Sequence, residues 1–237
     1  MPSRQRTFES IVLALEKEFL GEFTGPLTKE NQSLKDRIRR ALSWMKRAAS
    51  MSFEDRPPRF VDLWIALNAI YGRRNYGENW SESEFADFRE FVSLFKKIPE
   101  GNTMLEKFIS KRHIQGKIRG LVKNPYLWRE YWEGEIELLD NNIDKKLEDF
   151  ERAISHNETE SILKYLFERI KMLRNQIFHG SSSADTRRNR DALVPGILLL
   201  EELLPLLVRV MIKHGAQIRW PDIPYPARAT PLHPISD

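Results

Sequence analysis

Apolar residues recur at three- and four-residue intervals along most of this chain, the period of helices with one buried face. Phe8, Ile11, Val12, Leu15 and Phe19 form a first stripe, which the stretch from Gly21 to Pro26 ends. A second helix is predicted from Lys29 to Met51, with Leu34, Ile38, Ala41, Leu42, Met45 and Ala48 inward. Its outer face is read as Lys35, Arg37, Arg39, Arg40, Lys46 and Arg47. Residues Arg59 to Gly72 are apolar on nearly every side, which predicts a central helix. Another starts near Ser81 with Phe85, Phe88, Phe91, Val92 and Phe95 inward, and Pro99 to Asn102 break it. Phe108, Ile109, Ile114, Ile118, Leu121 and Val122 suggest two short helices, and KNPYLWREYW a turn into a Trp- and Tyr-rich segment. Ile136 to Ile154 reads as an amphipathic helix. Asp191 to His214 closes the core, with Pro195 in its first turns and a kink at Pro205.

No strand alternation, glycine-rich phosphate loop, H-E-x-x-H zinc motif or repeat of 20–50 residues interrupts this pattern. The fold class is therefore all-α: a helical bundle in one domain, residues 1–217. The stretch from about 100 to 154 is read as an insertion that lengthens the bundle or shapes a groove. A proline-rich tail, 218–237, cannot continue the bundle and is expected to be extended or disordered and to pack on the surface through Trp220.

Composition narrows the function. The 237 residues carry a net charge of +4, mildly basic and compatible with RNA. There is no cysteine, which excludes disulfides, thiolate catalysis and Cys-ligated zinc and fits a reducing cytoplasm. No run is long and apolar enough to span a membrane, since Glu201, Glu202 and Arg209 interrupt the best one. No cofactor or metal site is expected.

The stretch from Asn157 to Gly180 carries the chemistry. Asn157 is placed to cap a helix, Glu160 to complete a capping box, and Gly180 to end it in a left-handed turn. Ile162, Leu166, Ile170, Leu173 and Ile177 make the buried stripe. Asn175 and His179, spaced i, i+4, share a face away from that stripe. Arg174 lies on a flank with Phe167 and Phe178, a surface expected to be covered by another helix or a second copy of the chain. His179 can exchange a proton as a general acid or base, Arg174 can fork onto phosphate oxygens, and Asn175 can orient the imidazole. A capping histidine and a surface arginine would show the same spacing.

The segment Arg174-Asn175-Gln176-Ile177-Phe178-His179 resembles the R-x4-6-H motif of the HEPN superfamily, including the polar residue that often follows the arginine. The preceding long helix, Gly180 and the apolar helix downstream fit the same resemblance, which covers roughly 30–75 and 155–215. It implies an all-α domain and a metal-independent ribonuclease of toxin–antitoxin or phage-defence type, working as a homodimer whose two motifs share a cleft. His179 would act on the ribose 2′-hydroxyl, Arg174 would hold the scissile phosphate, and a 2′,3′-cyclic phosphate would result. A neutralising antitoxin or defence partner is also implied. Ser181 stands where toxins of the family silenced by adenylylation carry a tyrosine, which puts that control in doubt.

Further RNA contacts are expected from Arg73, Arg74 and Tyr76 after the central helix, and from Arg187, Arg188 and Arg190 in a loop beside the motif. Inside the central helix, Asn68 either bonds a neighbouring helix or buried water, or reaches the Arg174–His179 face; Asp62 is a weaker candidate for the same role. The alternative function is a non-catalytic HEPN-like module that binds RNA or protein.

Overall fold

The computed structural model describes residues 2–24, 28–73, 80–180 and 187–224, the stretches 2–6, 29–30, 80–83 and 187–190 by backbone alone. Ten α-helices and no strand occur among them. They are α1 (Pro2–Glu22), α2 (Lys29–Ser50), α3 (Arg56–Tyr71), α4 (Trp80–Lys96), α5 (Pro99–Ile109), α6 (Arg112–Lys123), α7 (Arg129–Glu133), α8 (Ile136–Ser155), α9 (Thr159–Phe178) and α10 (Arg187–His214). None is long and apolar enough to cross a membrane.

The packing has two groups of helices and one shared spine. α3 lies along α2 and α10, and α1 closes over α2 and α10. On the other side α4, α5, α6 and α8 surround α9. α10 touches both groups, and one continuous apolar core runs through them. Residues 100–154 share that core through Leu105, Phe108, Ile114, Ile118, Leu121, Val122 and Leu127. Gly196 sits where α10 crosses the others: a β-carbon there would lie 3.3 Å from Leu173 and 3.4 Å from Phe60. The missing side chain lets the helices approach.

Several boundaries depart from the sequence pattern. Pro99 does more than break α4; it occupies the first turn of α5, where a missing N–H costs nothing. The capping box at Asn157 does not form. Asn157 adopts φ 55° and turns the chain between α8 and α9, Glu158 takes the cap position, and no side chain caps the helix. The Arg187–Arg190 cluster, expected in a loop, begins α10, and both Pro195 and Pro205 lie inside that helix. Gly180 has the expected left-handed φ of 64°.

The basic face of α2 is not a bare cationic surface. Lys35 bonds the Phe23 carbonyl, Arg39 pairs with Asp36, Lys46 with Glu16 and Arg47 with Asp62. Arg40 bonds the Pro224 carbonyl. Arg37, placed outward by the pattern, is buried: it donates to the carbonyls of Ile70, Gly72 and Pro221 at 2.6–2.8 Å. Burial is the main reason its pKa falls to about 10, with Arg40 adding to the effect. Arg37 thus satisfies the open carbonyl end of α3 and pins the chain after α10. Trp220 completes that anchor, buried against Phe91 with its indole N–H on the Gly215 carbonyl. The proline-rich stretch is therefore packed as far as Pro224, and 225–237 lie outside the described residues.

Arg59 joins four helices. Its Nη1 donates to the Ala48 and Met51 carbonyls at the end of α2, and its Nε and Nη2 donate to Glu201 of α10. Phe8 of α1 packs on the guanidinium at 5.7 Å. The arginine is 0% exposed and Glu201 7% exposed, so neither charge can turn to water if its partner is lost. Glu201→Ala should therefore lower unfolding free energy by about 3–5 kcal/mol in a urea titration, far more than an exposed pair such as Lys46–Glu16 would.

Candidate functional site

Arg174 and His179 leave α9 about 140° apart around the helix and about 7.5 Å along it. They meet different surroundings. Arg174 faces inward across the α3–α4–α9 junction: its Nη2 donates to both carboxylate oxygens of Glu84 at 2.5 and 2.7 Å. Lys171 approaches the same carboxylate at 3.4 Å, and the Tyr71 hydroxyl donates to it at 3.3 Å. The guanidinium lies 5.1 Å above the Trp64 ring, and its Nε–H finds no acceptor among the described residues.

Beneath this polar group lies an aromatic cluster centred on Phe167. Phe88 stacks on it with centroids 4.1 Å apart and planes 10° apart, Tyr71 meets it edge-on at 5.5 Å, and Trp64 tilts against it at 5.7 Å. The flank that the pattern assigned to a covering element is thus half covered. Phe167 is buried by α3 and α4 of the same chain, while Phe178 is 58% exposed. Burial, together with Glu84, pushes the Tyr71 phenol well above its ordinary pKa, so it remains a donor through the neutral range.

His179 sits at the open end. It is the C-terminal cap of α9, its backbone N–H bonded to the Asn175 carbonyl, and it is exposed beside Phe178. Asn175, one turn back, is half-buried; neither side chain makes a hydrogen bond among the described residues. Just behind them Gln176 donates to the Tyr126 carbonyl, which anchors this end of α9 to the turn after α6.

The remaining sequence candidates are dispersed. Asn68 lies between Trp64 and Tyr71 on one stripe of α3, the stripe that faces Arg174, and makes no side-chain hydrogen bond among the described residues. Asp62 points to the opposite face of α3, where its carboxylate pairs with Arg47 of α2 at 3.2 Å, so it does not support the motif. Arg73 is held by Asp87 and Glu90 of α4 rather than left open for RNA. Arg74 and Tyr76 lie outside the described residues, as do the side chains of Arg187, Arg188 and Arg190, whose backbone opens α10.

Glu84, Tyr71 and Lys171 are the site residues that sequence reasoning missed. A signal for Glu84 was present: it precedes Phe88, Phe91 and Phe95 at spacings of four, three and four, a carboxylate on an otherwise apolar stripe. Such a position needs a cationic partner. Comparison with known proteins finds no matching family model, no similar curated protein and no solved structure of matching fold.

Asp62 yields a pH prediction. Burial raises its pKa above 3.8, an effect that Arg47 partly offsets. The folded chain therefore holds this proton more tightly than the unfolded chain. The associated stability is present below the ordinary carboxylate range and is lost as pH rises through the raised value. Asp62→Asn should remove that downward slope, so that variant minus wild-type stability, followed by thermal melts, rises across the acid-to-neutral range.

Proposed function

We propose that this chain is an RNA endonuclease of the HEPN kind, in which two copies bring their α9 ends together on a single RNA strand. One observation carries the reading: among the described residues His179 stands unpartnered and exposed at the end of α9, with Asn175 one turn behind and the Phe178 ring open beside it. A titratable group on an accessible surface, framed by an exposed aromatic ring, suits a site that a second copy completes.

In this reading one His179 takes the proton from the ribose 2′-hydroxyl, and the 2′-oxygen attacks the adjacent phosphorus. The 5′-oxygen leaves with a proton supplied by His179 of the second copy. The products are a 2′,3′-cyclic phosphate and a free 5′-hydroxyl, and no water or metal enters the step. Asn175 is spaced to orient the imidazole. Arg174 can serve the phosphate by exchanging the Glu84 carboxylate on its Nη2 for a phosphodiester, an exchange of one oxyanion for another. Incubated with single-stranded RNA and a chelator, the protein should cleave, and His179→Ala should slow cleavage by about 10²–10⁴-fold. Cleavage abolished by the chelator, or unchanged in the variant, rejects the mechanism.

The Arg174–Glu84 pair favours a second reading, a non-catalytic module that binds RNA or protein, with Arg174 serving as a strut between α9 and α4. Glu84→Gln separates the two. A nuclease whose arginine is released should cleave RNA faster despite a lower melting temperature. A strut should show only the lower melting temperature.

A further inference from the structure

A second feature lies at the other end of α9, about 22–28 Å along the helix from His179. Between α4 and the first turns of α9 the surface opens into a pocket of about 210 Å³. Its floor is apolar: Phe85, Phe88 and Val92, all from α4. The floor is rigid, because Phe88 is stacked on Phe167, which Tyr71 and Trp64 hold from the far side.

The rim is cationic. Arg89 is exposed and has no ion pair or hydrogen bond among the described residues. Lys164 stands across from it, its ammonium 5.7 Å above the Phe85 ring and only loosely matched by Glu168 at 3.9 Å. The one carboxylate among the described residues of the rim, Glu160, is paired with Lys96 at 2.9 Å. Ser161 closes the mouth, its hydroxyl turned to Glu158. Aromatic walls with cations at the mouth, and no free anion opposing them among the described residues, select for a ring that carries negative charge. The volume is below the 300 Å³ or so of pockets that enclose a drug-sized ligand, so it holds a single ring system with the charged group outside.

We propose that this pocket binds a planar ring bearing an anionic group, the ring lying against Phe85, Phe88 and Val92 and the anion at Arg89 and Lys164. The assignment is independent of the nuclease reading, because none of these residues belongs to the motif. Two sources of such chemistry exist, nucleoside monophosphates and small aromatic carboxylates. Titration calorimetry on the full chain distinguishes them: uridine and adenosine 5′-monophosphates form one arm, benzoate and indole-3-carboxylate the other. Inorganic phosphate and benzyl alcohol supply charge and ring separately.

At least one arm should saturate at one site per chain, with both controls about tenfold weaker or more. Arg89→Gln, on an exposed position, should weaken binding about tenfold without moving the melting temperature, and Ser161→Phe should block it by filling the mouth. The arm that saturates names the source. The proposal is overturned if no probe saturates, if phosphate alone binds as tightly as the ring compounds, or if either variant binds like wild type.

Discussion

Arg59 is the constraint around which the two groups of helices are arranged. Burying a guanidinium is costly unless its donors are met, and Arg59 meets that cost by drawing three separate structures to itself. The last turn of α2 supplies carbonyls, α10 supplies Glu201, and α1 supplies the ring of Phe8. The geometry admits little slack, so α3 has one depth and one rotation between α2 and α10. Trp64, Asn68 and Tyr71 then point together at α9, and Asp62 points to the other side. The orientation of the candidate site is thus a consequence of a buried ion pair on the far end of the same helix.

Arg37 does comparable work at the opposite end of α3. It takes the terminal carbonyls of that helix and the first residues after α10, so the chain leaving the spine returns across α2 and shields the core through Trp220. Both arginines reach carbonyl groups at helix ends, where the backbone leaves acceptors unmet. A net charge of +4 accordingly overstates the cationic surface. Several arginines and lysines that look available in the sequence are engaged internally, which limits how far basic composition alone supports RNA binding.

Two faces at the C-terminal end of α9 offer different chemistry for a simple geometrical reason. A helix turns about 100° per residue, so five residues carry Arg174 and His179 to different faces, one against α3 and α4 and the other at the open end. The histidine is exposed and unpaired among the described residues, and the arginine is held by a carboxylate. Glu84 occupies the Nη2 of Arg174, and the polar residues around it (Tyr71, Lys171) are already directed at that carboxylate.

The helical period of the apolar residues was enough to place most helices and nearly all of the core, because burial of one face leaves a periodic record in each helix whatever its neighbours are. The placing of His179 away from the buried stripe and the left-handed Gly180 follow from that local record too. What the chain could not disclose by itself were the partners. That Arg37 turns inward, that Asp62 answers Arg47, that Arg73 is held by α4, and that Glu84 closes over Arg174 all depend on residues from distant segments meeting at helix crossings. Charge and polarity name what a side chain requires, and only the packing of whole helices against one another decides which group supplies it.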